Sequence, residues 1–127
     1  MKIREQGGLP FVSLQLTQGE QRMVLPNVVL DTGSAGTILQ TDLVAPIGVR
    51  LEPDDLISEV HGIGGVEFVV TKQIDLIGVD ELATKNFTIE IGSMNYGFDF
   101  DGILGFDFLQ QTGAVIDLAA MEIRSKL

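Results

Sequence analysis

The sequence predicts one all-β domain, a sandwich or a barrel. Three observations carry this: short apolar segments with period-two alternation, glycine-bearing turns at regular spacing between them, and 127 residues with no linker or low-complexity tract. In Phe11 to Leu16, Val12, Leu14 and Leu16 share one face and Phe11, Ser13 and Gln15 the other. Thr17 to Gln21, around Gly19, turns the chain into Arg22 to Leu25, so this stretch reads as a hairpin. Asn27 to Leu30 is a short apolar strand that stops at Asp31-Thr32-Gly33-Ser34, and Thr37 to Leu39 is a further strand. Thr41 is expected to cap a short helix over Asp42 to Ile47, kept brief by Pro46 and ended by Gly48. Leu56 to Gly62 and Val66 to Thr71 are strand-like and flank Ile63-Gly64-Gly65, whose paired glycines suit a hairpin tip. Ile74 to Val79 follows as a strand. Phe87 to Ile91 places Phe87, Ile89 and Ile91 inward, with Thr88 and Glu90 outward. Asp101-Gly102-Ile103-Leu104-Gly105 is a second glycine-bounded apolar run, and Phe106 to Gln111 is helix-like with a stop at Gly113. Val115 to Asp117 and Met121 to Arg124 close the chain as strands.

Composition narrows the chemistry. Eighteen acidic against eight basic side chains leave a net charge of −10, which repels nucleic-acid phosphates and anionic lipid headgroups. Neither nucleic acid nor a membrane surface is an expected partner. No cysteine is present, so a disulfide framework, a thiolate nucleophile and a cysteine metal site are excluded, and a single histidine disfavours a multi-histidine metal site or a serine triad within one subunit. No apolar run approaches the ~20 residues a membrane helix needs, and Met1 to Gly8 lacks a signal-peptide hydrophobic stretch. A cytoplasmic chain, or a soluble domain of a longer or anchored protein, is the expectation.

The chemistry-bearing segment is Asp31-Thr32-Gly33-Ser34. An apolar strand that delivers this loop toward the interior places a carboxylate in a dry site. Thr32 and Ser34 offer hydroxyls to the backbone and the carboxylate, and Gly33 lets another backbone or a substrate approach closely. Asp, Gly and Ser also favour an ordinary turn. A given tetrapeptide of such residues arises by chance in only about 0.2% of chains this long, and the downstream Ile103-Leu104-Gly105 supplies a companion.

With Val28-Val29-Leu30-Asp31-Thr32-Gly33-Ser34, then Gly62-Ile63-Gly64-Gly65, then Ile103-Leu104-Gly105 before Phe106-Asp107-Phe108-Leu109, the chain resembles the retropepsin-like aspartic proteases, half-sized dimeric relatives of the pepsins. The likeness runs from about residue 11 to 124. It implies that residues 1–127 form one retropepsin-like aspartic protease domain: a closed β-barrel with one or two short helices, acting as a homodimer. It implies Asp31 as the catalytic residue, supported by Thr32, Gly33 and Ser34, with Thr32 bonding across the dimer and Ser34 placed to bond an outer carboxylate oxygen of Asp31. Gly62, Ile63, Gly64 and Gly65 correspond to the flap that closes over substrate. Ile103, Leu104 and Gly105 correspond to the loop lying beside Asp-Thr-Gly in a ψ-shaped crossing. The implied activity is that of an endopeptidase acting on peptide or protein substrates without metal or organic cofactor. The chain departs from retroviral members at Ala35 and Gly36, where they carry further acidic residues, and at Phe106, where they carry an arginine. Dimerisation through terminal strands is inferred from the need for a second Asp, not from matched interface residues.

That need is physical. Two carboxyls about 3 Å apart cannot both ionise, so they share a proton and divide the acid and base roles. One chain offers one such Asp, and a two-fold axis beside it supplies the copy. The alternative is a non-catalytic peptide-binding or dimerisation module of the same fold. Asp99, Asp101 and Asp107 around Gly102 lack the oxygen series of a calcium loop, His61 has no companion histidine, and Glu52, Asp54 and Asp55 read as a solvated loop.

Overall fold

The computed structural model describes residues 1–62, 65–93 and 100–126, with backbone only for 61, 62 and 65–67. Among the described residues the chain is mostly β, with two short α-helices. The strands are β1 (Arg4–Gln6), β2 (Leu9–Gln18), β3 (Gln21–Leu30), β4 (Ile38–Gln40), β5 (Ile57–Gly62), β6 (Gly65–Val79), β7 (Leu82–Gly92), β8 (Gly102–Leu104), β9 (Val115–Asp117) and β10 (Glu122–Arg124). The helices are α1 (Thr41–Val44) and α2 (Phe106–Thr112).

The β2–β3 hairpin forms as the alternation predicts. Val12, Leu14 and Leu16 are buried, and the turn is the two residues Gly19-Glu20, with Gly19 at φ +61. The expected strands Arg22 to Leu25 and Asn27 to Leu30 are one strand. Leu14 pairs with Leu25 and Val12 with Val28, so one residue of β2 faces two of β3. The bulge falls at Pro26, which has no N–H to give to the ladder. The expected strands Val66 to Thr71 and Ile74 to Val79 likewise merge into β6, because Lys72 and Gln73 pair with Ile89 and Thr88. Sequence reasoning missed β1, whose three residues are all exposed and so show no burial pattern.

The helix after β4 begins at Thr41 itself. Gln40 is its N-cap, with no side-chain capping bond, so Thr41 does not cap it. Pro46 converts the second turn into a 3-10 turn over Ala45–Ile47, which Gly48 ends at φ +95. The Glu52 to Asp55 segment is tied down, not merely solvated: Lys72 donates to Asp55 at 2.9 Å and to Glu52 at 3.0 Å.

The sheet order is β1-β2-β3-β8-β4-β7-β6-β5, and β2 pairs also with β6, so the circuit of pairings returns to β2. The main apolar cluster includes Leu14, Leu39, Ile77, Ile89, Leu104 and Phe108. Phe108 of α2 meets Phe87 edge-on at a centroid distance of 6.0 Å. Gly113 ends α2 in the left-handed conformation at φ +63, as its position predicts. The chain ends pair within one chain. Ile3 N–H donates to the Met121 carbonyl at 2.9 Å and Ile123 N–H to that of Met1 at 2.9 Å. Among the described residues no helix is long and apolar enough to cross a membrane.

Candidate active site

The site is built where β3 ends. β8 runs parallel to β3, with Leu30 opposite Leu104, and antiparallel to β4, with Ile38 opposite Ile103. β8 thus lies between the strands that enter and leave the loop 31–36, and that loop arches across the C-terminal end of β8. The arch is pinned along its length. Asp31 N–H donates to the Leu104 carbonyl at 3.0 Å, and Phe106 N–H donates to the Ser34 carbonyl at 2.7 Å. Such close passage requires glycine at 105: a Cβ there would stand far inside van der Waals distance of the Gly36 carbonyl oxygen and 2.9 Å from that of Ser34. Ile103, Leu104 and Gly105 are therefore brought against the Asp31 loop.

Within the arch, Gly33 N–H donates to Asp31 Oδ1 at 2.9 Å, and Ser34 N–H donates to the Asp31 carbonyl at 3.2 Å. This Asx-type turn turns the carboxylate back over its own loop. Asp31 is half-buried, and Thr32 and Gly33 are exposed. The Ser34 hydroxyl departs from expectation: it donates to the Gly36 carbonyl at 2.8 Å and so supports the loop backbone rather than the carboxylate.

Alternation along the three strands divides their side chains between two faces. Val28, Leu30, Leu39 and Leu104 enter the main core. Val29, Ile103 and Ile38, which lie abreast in the register, join Phe11, Val69 and Phe100 in a second apolar cluster, against which Val60 packs. Val60 and Val69 belong to β5 and β6, so the root of the expected flap packs against the strands that carry the Asp31 loop. Gly62 pairs with Gly65 at the far end of this hairpin. Ile63 and Gly64, the expected tip, lie outside the described residues.

Three further residues support the loop, a role the sequence did not assign to them. Thr37 is fully buried. Its hydroxyl donates to Asp107 Oδ1 at 2.9 Å and accepts from Gly105 N–H at 3.1 Å, and its own N–H donates to Asp107 Oδ2 at 3.3 Å. Glu90, expected outward, is half-buried, and its carboxyl lies against Gly36. Burial, with the neighbouring Asp107 carboxylate, pushes the Glu90 carboxyl above its usual range. The available signals were a polar residue at a strand start and an Asp two residues after a glycine corner, and both fit many surface sites equally well.

Elsewhere a cleft of about 350 Å³ is lined by Leu51, Ile57, Phe68 and Val70 with Asp42, and Asp31 is not part of it. Among the described residues no group of three or more acidic or histidine side chains is arranged to hold a metal ion. A family model described as aspartyl protease matches residues 14–108. No curated protein matches the chain.

Proposed function

The chain belongs to the retropepsin-like aspartyl protease family, and from that premise we propose that it is an endopeptidase whose catalytic pair is Asp31 and its copy in a second subunit. The observation that carries this reading is the pinned arch. It presents one half-buried carboxylate beside an exposed Thr32-Gly33 edge, and each chain supplies one such loop. A two-fold axis at that edge sets the two carboxyls side by side. The pairing circuit that returns to β2 supports the closed barrel, and the one connected set of pairings from β1 to β8 supports a single domain.

The two carboxyls hold one proton between them, and the apparent acidities belong to the pair. The ionised oxygen takes a proton from a water as that water adds to the scissile carbonyl. The protonated partner gives its proton to the carbonyl oxygen, forming a neutral gem-diol. Collapse of the diol breaks the C–N bond as the amide nitrogen takes the proton of one carboxyl and a diol hydroxyl returns a proton to the other. The leaving amine carries that proton, the new carboxyl carries the water oxygen, and the dyad again holds one proton. Gly33 N–H holds Asp31 Oδ1 throughout. Thr32, exposed and without a side-chain bond among the described residues, is free to bond the partner loop. Substrate enters as an extended strand beneath the β5–β6 hairpin, with apolar side chains on the partly exposed Ile103.

Peptide cleavage assayed with and without a transition-state-mimicking aspartic protease inhibitor, alongside sedimentation, tests this. Inhibitor-sensitive cleavage that appears with the dimer and is lost in Asp31→Asn is expected. Cleavage by a strictly monomeric species, or by Asp31→Asn at the original rate, refutes the dyad. Peptide binding without turnover marks a non-catalytic module.

A further inference from the structure

The geometry points to Thr37 and Asp107 as positioning residues for Asp31, acting through a side-chain relay that locks the exit of the catalytic loop. The inference rests on the reading of Asp31 as the catalytic carboxylate. The loop 31–36 has no ladder of its own, so its shape depends on what grips it. At its entry and middle the grip is backbone to backbone, from Leu104 and Phe106. At its exit a backbone bond from Glu90 N–H to the Thr37 carbonyl, at 2.9 Å, is joined by side-chain bonds. Thr37, the one fully buried polar side chain among the described residues, stands between the Asp107 carboxylate and the Gly105 amide.

Each group in the relay has a partner. β8 has ended at Leu104, so the buried Gly105 N–H has no strand partner, and the Thr37 hydroxyl takes its place. That hydroxyl gives its own proton to Asp107 Oδ1, and Oδ2 receives the Thr37 amide, so the carboxylate grips one residue at two points. Asp107 Oδ1 also accepts Phe108 N–H at 2.8 Å, which fixes the carboxylate to the first turn of α2. All donors converge on Asp107, so an ionised Asp suits the position and Asn does not: its NH₂ would face an N–H or the hydroxyl proton. The relay thereby joins α2, the second glycine loop and the exit of the Asp31 arch into one rigid piece. A two-carboxyl centre needs this, because a displacement of about 1 Å costs on the order of 100-fold in rate.

The test uses three variants of the full chain. Thr37→Val removes the hydroxyl at nearly constant shape, Thr37→Ser keeps it, and Asp107→Asn keeps the size of the side chain. In peptide cleavage, Thr37→Val and Asp107→Asn are expected to lower kcat about 10- to 100-fold with KM within about twofold, while Thr37→Ser stays within about threefold of the original chain. In NMR spectra of the same proteins, the Asp31 carboxyl carbon and Gly33 amide resonances are expected to move in the first two and to hold in the third. Unchanged kcat in a folded Thr37→Val, or a Thr37→Ser that loses as much as Thr37→Val, overturns the inference. Should Thr37→Val not fold, Asp107→Asn decides by the same criteria. An original chain without any peptidase activity refutes the functional reading and leaves this one to the NMR arm. There, unmoved Asp31 and Gly33 resonances in Asp107→Asn overturn it.

Discussion

Replacing Gly105 by alanine puts one methyl group where the Asp31 arch crosses the end of β8. The new carbon would overlap the Gly36 carbonyl oxygen, stand 2.6 Å from its carbon and lie 2.9 Å from the Ser34 oxygen. All three are backbone atoms and cannot swing aside as a side-chain end does, so the loop itself has to rise by about 1 Å. Overpacking of this kind costs about 1–3 kcal/mol. Stretching the 2.7 Å bond from Phe106 N–H to the Ser34 carbonyl adds about 0.5–1.5 kcal/mol. A loss of about 1.5–4.5 kcal/mol against a total of about 5–15 kcal/mol leaves the chain folded. At about 3–4 °C per kcal/mol for a domain of this size, Tm falls by roughly 4–18 °C. The same displacement lowers kcat on the order of 100-fold per folded molecule. Thermal unfolding by circular dichroism and peptide cleavage well below Tm measure the two effects. Gly113→Ala is the control. It strains a backbone at φ +63 but meets no atom within 4 Å, so it lowers Tm without lowering kcat. A Gly105→Ala chain with Tm within about 2 °C of the original and full kcat would refute the crossing of the two loops.

Asp31→Asn is expected to change stability by less than about 0.5 kcal/mol, because the half-buried carboxylate receives one backbone bond that an amide oxygen can also accept. The same substitution costs at least about 100-fold in kcat, and unfolding in urea together with peptide cleavage separates the two effects. Glu90 and Asp55 predict opposite pH dependences. Burial and then Asp107 raise the Glu90 carboxyl in the folded state, so its contribution is fully present below the unfolded glutamate value and lost as pH rises through the raised one. Glu90→Gln should therefore raise Tm at pH 7 and leave it unchanged in strong acid, and a gain of equal size at both would contradict the assignment. Asp55 is held low, first by the hydrogen bond from Lys72 and then by that from the Glu52 amide. Its contribution is present above the unfolded aspartate value and lost as pH falls through the lowered one. Asp55→Asn should lower Tm at neutral pH and converge with the original chain in strong acid; curves that stay parallel would argue against the Lys72 contact.

The Asp31 arch was legible because its cause is local. An apolar strand running into Asp31-Thr32-Gly33-Ser34, and a glycine corner at Gly105, are statements about neighbouring residues and the backbone they permit. The stops at Gly48 and Gly113 were legible for the same reason. Strand lengths were less so: the Pro26 break and the polar Lys72-Gln73 pair look like strand ends in one dimension. A bulge absorbs the first, and a partner strand supplies ladder bonds to the second.

By itself the sequence determined the chemistry on offer, one candidate carboxylate with hydroxyls and a glycine beside it and no thiol or histidine cluster, together with the period-two alternation that makes the chain β. Only the tertiary structure decided which groups serve that carboxylate. Ser34 turned to Gly36, Thr37 was buried between Asp107 and Gly105, Glu90 was drawn in against the loop, and the two chain ends paired with each other. The physical reason is distance along the chain. Residue type and local spacing set what a segment can do, whereas the partner of a hydroxyl 68 residues from its amide donor exists only once the strands between them have found their register.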